Sequence, residues 1–359
     1  MSKKIYFTPG PSELYFTVEG HLKTALREQV GSISHRSQAF KNIYKETEEN
    51  LRTLLNLPAD YKVFFTSSAT EIWEHLIRNC VENESYHLVN GAFSKRFWEF
   101  SGLLGRTNLK HESEEGNGAK PGDLNIPGSS ELIGITLNES STGVSYPLDW
   151  LKYLRSTYQE SLIAVDGVSS IPIPEIDFSQ IDSAYFSVQK CFGLPAGLGV
   201  WLVGPRCMEK AREMNAKGLL SATYRSLLSL EKSASNYQTV ETPNVLAIYL
   251  LGKVVIDMLV KGIDTIRRES RYKAAVLHQM IDDLDWLSEF IPEKELRSET
   301  VVVANCTRDN DQVVKQLEEA GFVIGKGYGK FKTSQLRFAN FPTHSREQVE
   351  QLADVMAKI

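Results

Sequence analysis

Through its first two thirds the chain alternates short apolar runs with longer amphipathic stretches, and that alternation leaves few folds open to it. Residues 61–66 (YKVFFT), 86–90, 131–137 (ELIGITL), 162–166 (LIAVD), 182–188 (DSAYFSV) and 198–203 (LGVWLV) read as strands. Residues 68–80 and 93–104 read as helices between them. Strands separated by helices predict an α/β unit around a mostly parallel sheet. From about residue 255 the pattern changes to one long helical stretch (257–284), a strand (300–304), a helix (309–320), a strand (335–338) and a helix (345–357). That second pattern predicts a smaller α+β body. A chain of 359 residues exceeds what one core usually supports. We therefore expect a large domain over 15–255 and a second unit made of 1–14 with 256–359. Residues 113–130, rich in Gly, Pro and acidic side chains, predict a surface loop.

Several classes are disfavoured at once. A net charge of −5 provides no basic field for a nucleic-acid backbone. The most apolar tract, 245–260, contains Lys253 and Asp257 and falls short of the ~20 residues a bilayer requires. It predicts a buried or amphipathic helix and no membrane insertion. The N-terminus, MSKKIYFTPGP, lacks the apolar centre and cleavage site of a signal peptide. Cys80, Cys191, Cys207 and Cys306 are scattered without metal-ligand spacing and read as reduced thiols of a cytoplasmic protein that binds no metal. No glycine pattern supports a dinucleotide or Walker-type phosphate loop.

The chemistry concentrates in three places. In 187–203 (SVQKCFGLPAGLGVWLV) a strand ends at Gln189 and Lys190, followed by a loop with Gly193, Gly197 and Gly199. Open α/β sheets bind ligands at such strand ends. A desolvated lysine there has a lowered pKa and can form a Schiff base with an aldehyde. Taken alone, Lys190 is weak evidence, since most loop lysines are solvated surface charges. Asp166 ends the preceding strand, where a carboxylate can pair with a protonated pyridine nitrogen or merely cap a turn. In 64–76 (FFTSSATEIWEHL) a strand runs into Ser68, Ala69 and Thr70 and opens a helix, whose free N–H groups suit an anion. The plainer reading is an ordinary cap, with Ser68 capping and Glu71 completing a capping box.

Taken together, SVQK with its glycine loop, LIAVDGVSS, TLNESSTGV (136–144), TPGPSE (8–13) and ISHRS (33–37) resemble the class V, fold-type I aminotransferases. The resemblance spans nearly the whole chain in order. It implies an α/β fold with a mostly parallel seven-stranded sheet flanked by helices, a smaller α+β C-terminal domain and pyridoxal 5'-phosphate as cofactor. It assigns Lys190 to the Schiff base and proton transfer, and Asp166 to the pyridine nitrogen. It places Ser140 on the ring's phenolic oxygen, and Ser187, Gln189, Ser68, Ala69 and Thr70 around the phosphate. Phe93 falls where relatives carry a stacking tryptophan; phenylalanine can stack but has no N–H to donate. Thr242 matches a threonine that reaches the phosphate from a partner subunit, which implies a homodimer with shared active sites. Glu241 beside it replaces a common asparagine.

Substrate recognition follows the same resemblance. Arg337 in SQLRFANFP matches the arginine that takes the α-carboxylate in bidentate fashion. His35 and Arg36 match a pair that reaches across the dimer toward a distal phosphate in the phosphoserine-using branch, which the chain is most like. Similar pairs occur in the alanine– and serine–glyoxylate branch. The phosphoserine branch also carries a His-Arg pair shortly before its carboxylate arginine. Here that stretch reads GKGYGKFKTSQLR, with Lys326, Lys330 and Lys332 as the cations. The expectation is amino transfer from O-phospho-L-serine to 2-oxoglutarate by a ping-pong route, with a glyoxylate-type exchange as the alternative. A desulfurase would need a loop cysteine near the ring, and Ser94 and the distant Cys306 make that the weaker reading. A non-catalytic relative would be expected to lack Lys190, Asp166 or Arg337, and all three are present. His111 and His344 have no evident partners and read as structural or exposed.

Overall fold

A computed structural model describes residues 4–220 and 223–359, so the first three residues of the expected N-terminal arm lie outside the described residues. In chain order its strands are β1 (Ile5–Phe7), β2 (Lys62–Thr66), β3 (Glu84–Val89), β4 (Thr107–Glu112), β5 (Leu132–Thr136), β6 (Asn138–Glu139), β7 (Val144–Ser145), β8 (Leu162–Asp166), β9 (Ser183–Ser187), β10 (Gly199–Val203), β11 (Leu287–Glu289), β12 (Val301–Cys306), β13 (Phe322–Lys326) and β14 (Gln335–Ala339). The larger sheet has seven strands in the order β2-β10-β9-β8-β5-β3-β4, and only β10 runs antiparallel to its neighbours. β5, β8, β9 and β10 are buried at every residue, as expected of strands covered on both faces.

The pleat sends alternate side chains into two cores. Val63, Phe65, Ile163, Val165, Ala184 and Phe186 join one, packed under the helices Gln38–Leu55 and Val245–Lys261. Phe64, Ala164, Tyr185 and Trp201 join the other, under Ala69–Cys80 and Pro205–Ala216. A five-stranded sheet, β1-β13-β14-β12-β11, packs beside helices Ile263–Asp283 and Arg346–Met356. β1 enters it from the N-terminus, with Ile5 opposite Phe322.

Two expectations are corrected, and two strands are added. The helical stretch over 257–284 is two helices, Val245–Lys261 and Ile263–Asp283, because Gly262 turns the backbone to φ 84° and caps the first through its N–H. β4 and β13 were not legible: β4 is a half-exposed edge strand of mostly polar residues, and β13 is punctuated by glycines. Residues 113–130 are irregular but not wholly superficial. Ala119 and Ile126 are buried, and the Ala119 N–H donates to the Tyr146 hydroxyl at 3.0 Å.

Gly193 locks the N-terminal segment to the loop after Lys190. Its φ is +57°, and its carbonyl accepts from the Tyr15 N–H at 2.8 Å. A Cβ there would lie 2.5 Å from the Tyr15 nitrogen and 2.2 Å from Thr343 Cγ2. Left-handed strain and overpacking together should cost Gly193→Ala about 2–4 kcal/mol. Urea unfolding checks this; an unchanged midpoint would show that the loop opens freely.

Candidate active site

The parallel strands deliver their carboxyl ends to one edge of the larger sheet, where α/β sheets present ligand sites. Asp166 is the last residue of β8, Ser187 ends the neighbouring β9, and Lys190 follows three residues later. Above them lies a cavity of about 240 Å³. Of the residues singled out from sequence, Ser68, Ala69, Thr70, Phe93, Ser140, Asp166, Ser187, Gln189, Lys190 and Arg337 all line it.

Lys190 is 8% exposed, and its Nζ lies 3.1 Å from Ser140 Oγ and 5.4 Å from the centre of the Phe93 ring. Burial lowers its pKa, opposed by the charges of Asp166 and Glu139. Asp166 is 3% exposed, and burial raises its pKa to about 6, opposed by the Val168 N–H, which donates at 3.0 Å, and by Lys190. Thr136 Oγ1, on the register partner of Asp166, is buried without a hydrogen-bond partner, while Trp73 Nε1 and Tyr185 OH lie close enough to the carboxylate to bear on its charge. Unpaired buried polar groups are rare and call for a function.

Local sequence explains the positioning. Ser68 caps helix Ala69–Cys80 by accepting from the Glu71 N–H, but the Glu71 carboxylate returns to the N–H and hydroxyl of Ser67, one residue before the expected box. Ser187 Oγ accepts from the Ala69 N–H at 3.0 Å, which ties β9 to the helix start. The buried Glu139 carboxylate gathers the N–H groups of Phe93, Ser94 and Ser141 and the hydroxyls of Ser94 and Ser141. That network holds Phe93 at its helix N-terminus. Arg337 crosses from β14, donating from Nε to the Lys326 carbonyl and from an Nη to the Ser140 carbonyl, both at 2.8 Å.

His35, Arg36 and Thr242 do not line this cavity. Arg36 donates to the Gln238 side chain and to the carbonyls of Thr239 and Val240, next to the exposed Thr242. Thr242 and Glu241 line a different cavity, of about 300 Å³, with Ser67, His75 and Gly197. The lysine cluster does not enter the Lys190 cavity either: Lys326 pairs with Asp311, and Lys330 with Glu115 at 2.5 Å. His344 is buried, its Nδ1 accepting from the Phe341 N–H and its Nε2 facing the Tyr6 carbonyl, so its place is structural. Sequence reasoning missed Pro9, Gly10, Trp73, Asn138 and Tyr328, all in the cavity wall. Gly10 had a signal in its TPGP context: at φ +136°, its missing Cβ would fall 2.8 Å from Lys190 Cε. Trp73 lies one turn beyond Ala69 on the same helix face. Tyr328 had no signal.

Residues 120–337 match the sequence profile of the aminotransferase class-V family. A solved phosphoserine aminotransferase from Cytophaga hutchinsonii is 49% identical, covers 100% of this chain and 99% of its own, and superposes with a TM-score of 0.98. The phosphoserine aminotransferase of Rhodococcus opacus is 28% identical over 326 residues, which span 89% of this chain and 85% of that relative. An alanine–glyoxylate aminotransferase from Nostoc shares the fold, with a TM-score of 0.85 at 21% identity over 100% of this chain and 95% of that one. The chain belongs to the class-V aminotransferase family. Within that family it resembles the phosphoserine aminotransferases along its full length.

Asp166 yields a test independent of catalysis. Its folded pKa of about 6 stands above its ordinary 3.8, so the folded state favours the protonated form. The associated stability is present below the lower value and lost as pH rises through the higher. Asp166→Asn should therefore stabilise the cofactor-free protein by about 2–3 kcal/mol above pH 7 and by almost nothing near pH 4. Thermal unfolding at both pH values checks it; a pH-independent difference would mean that Lys190 fully compensates the carboxylate.

Proposed function

We propose that the chain is a pyridoxal-phosphate-dependent aminotransferase that exchanges the amino group of O-phospho-L-serine with 2-oxoglutarate. One observation carries the chemistry: Asp166 at the end of β8, Lys190 just beyond β9 and Arg337 from within β14 converge on one small cavity. The phosphoserine assignment rests on the full-length likeness to the Cytophaga hutchinsonii enzyme.

The cavity fits the cofactor. Asp166 would face the ring nitrogen, Phe93 one ring face and Ser140 the phenolic oxygen. The helix start at Ser68, Ala69 and Thr70, with Ser187 and Gln189, would hold the phosphate through side-chain donors and the helix dipole, the Ala69 N–H being already given to Ser187 Oγ. When bound, the cofactor supplies an aldehyde for the amino group and a ring that accepts electron density from the substrate Cα. A cation against Asp166 would keep that carboxylate ionised at neutral pH.

The protein's own part is positioning and proton movement. Arg337 holds the α-carboxylate, which orients the Cα–H bond toward Lys190 Nζ. Burial lowers the Lys190 pKa, which favours the free amine, so Nζ can take the Cα proton, pass it to the cofactor's carbonyl-derived carbon, and carry it the opposite way in the second half of the exchange. Ser140 steadies the amine at 3.1 Å. Arg36 and Thr242 stand together outside their own cavity, which supports their service to the cavity of a second subunit, with His35 alongside. The reading thus includes a homodimer with shared sites, residues 15–255 as the cofactor-binding domain, residues 1–14 with 256–359 as the second, and a cytoplasmic setting. Among the described residues no helix is long and apolar enough to cross a membrane.

The cofactor-loaded protein should lose its visible absorbance band with L-phosphoserine alone and far more slowly with L-alanine or L-serine. The opposite order would favour the glyoxylate-type exchange, which the scarcity of cations in the cavity wall of one chain makes the alternative worth testing. A mixture of Lys190→Ala and Arg36→Ala subunits should recover activity that neither parent shows, because one site per mixed dimer is intact. Failure to recover any would remove Arg36 from the partner's site.

A further inference from the structure

Arg337 is held on three sides. Two of its N–H groups are spent on the carbonyls of Lys326 and Ser140, and its Cζ lies 5.5 Å from the centre of the Tyr328 ring. The guanidinium offers five donors, so the remaining ones can meet a carboxylate edge-on. The opposite neighbour of Tyr328 is Phe93, 5.5 Å away between ring centres and tilted by 50°. Tyr328 therefore bridges the side chain read as the cofactor's stacking ring and the one read as the carboxylate clamp. The turn that carries it, between β13 and β14, is pinned by Phe331 against Phe290 at 5.3 Å and by Lys330 on Glu115. No other aromatic ring among the described residues packs on Arg337.

We propose that Tyr328 is a positioning residue that sets the plane of Arg337 for the α-carboxylate common to every amino-acid and 2-oxo-acid substrate. The inference rests on the reading of Arg337 as the carboxylate clamp. A cation over an aromatic face is favoured most where water is excluded, and Arg337 is largely buried. The hydrogen bonds from Nε and one Nη fix two points of the guanidinium, and the ring limits rotation about the line joining them. The ring, not the hydroxyl, does this.

The test compares Tyr328→Ala and Tyr328→Phe in the cofactor-loaded protein. The dissociation constant for 2-methylalanine, which carries an α-carboxylate but has no Cα proton to lose, is read on the cofactor's absorbance without turnover. Tyr328→Ala should raise that constant, and the KM of both amino donor and 2-oxo acid, on the order of ten-fold. The kcat and the affinity for the cofactor should change little, and Tyr328→Phe should recover most of the loss. Unchanged binding in Tyr328→Ala, a loss confined to phosphoserine, or a Phe variant as impaired as Ala would each overturn the proposal. If Tyr328→Ala unfolds, Tyr328→Leu keeps the bulk without the π face and answers the same question. A wild-type protein that transaminates no donor would sink the functional reading, and the 2-methylalanine ratio would still decide the role of Tyr328.

Discussion

The site is organised about a carboxylate and an amine buried in one cavity wall, Asp166 at the end of β8 and Lys190 just beyond the neighbouring parallel β9. Burial disfavours both charges, pushing the Asp166 pKa up and that of Lys190 down, while each group's charge works against the other's shift. Such a pair adds little to folding, because desolvation offsets most of the attraction. The two apolar layers on either face of the sheet supply the stability instead, and they leave the polar edge free to be shaped for binding. Thr136 Oγ1, buried beside Asp166 without a hydrogen-bond partner, belongs to the same polar edge.

Around that pair the site is assembled by contacts distant in sequence. Glu139 fixes the start of helix Ala92–Leu103 and with it Phe93, while Ser140 beside it touches Lys190 and, through its carbonyl, Arg337. Three adjacent functions thus hang on one short segment, residues 138–141. The smaller sheet contributes Arg337 from β14 and Tyr328 from the preceding turn, so the cavity is closed by both sheets at once. The N-terminal segment completes the wall, with Gly10 lying against the aliphatic stem of Lys190.

The parts legible in the sequence were those with local signatures. Apolar runs such as LIAVD and GVWLV have no alternation to hide, and the structure buries them at every residue. Ser68 before Ala69 announced its cap, and Lys190 was marked by the glycine loop behind it. The polar edge strand β4 and the break at Gly262 were missed because their placement depends on neighbours: β4 is a strand only because β3 offers its edge, and Gly262 lies inside a continuous apolar periodicity.

The sequence by itself determined the α/β layering, the chemistry available at the strand ends and the residue types able to hold a phosphate and a ring, because each depends on periodicity or on functional groups that travel with the chain. Only the tertiary structure decided which cations share the cavity with Lys190, since Lys326 and Lys330 are drawn off by Asp311 and Glu115 while Tyr328 turns inward. Charge in a sequence does not reveal its partner. Pairing is settled by distance, and distance between residues so far apart in the chain exists only once both sheets are in place.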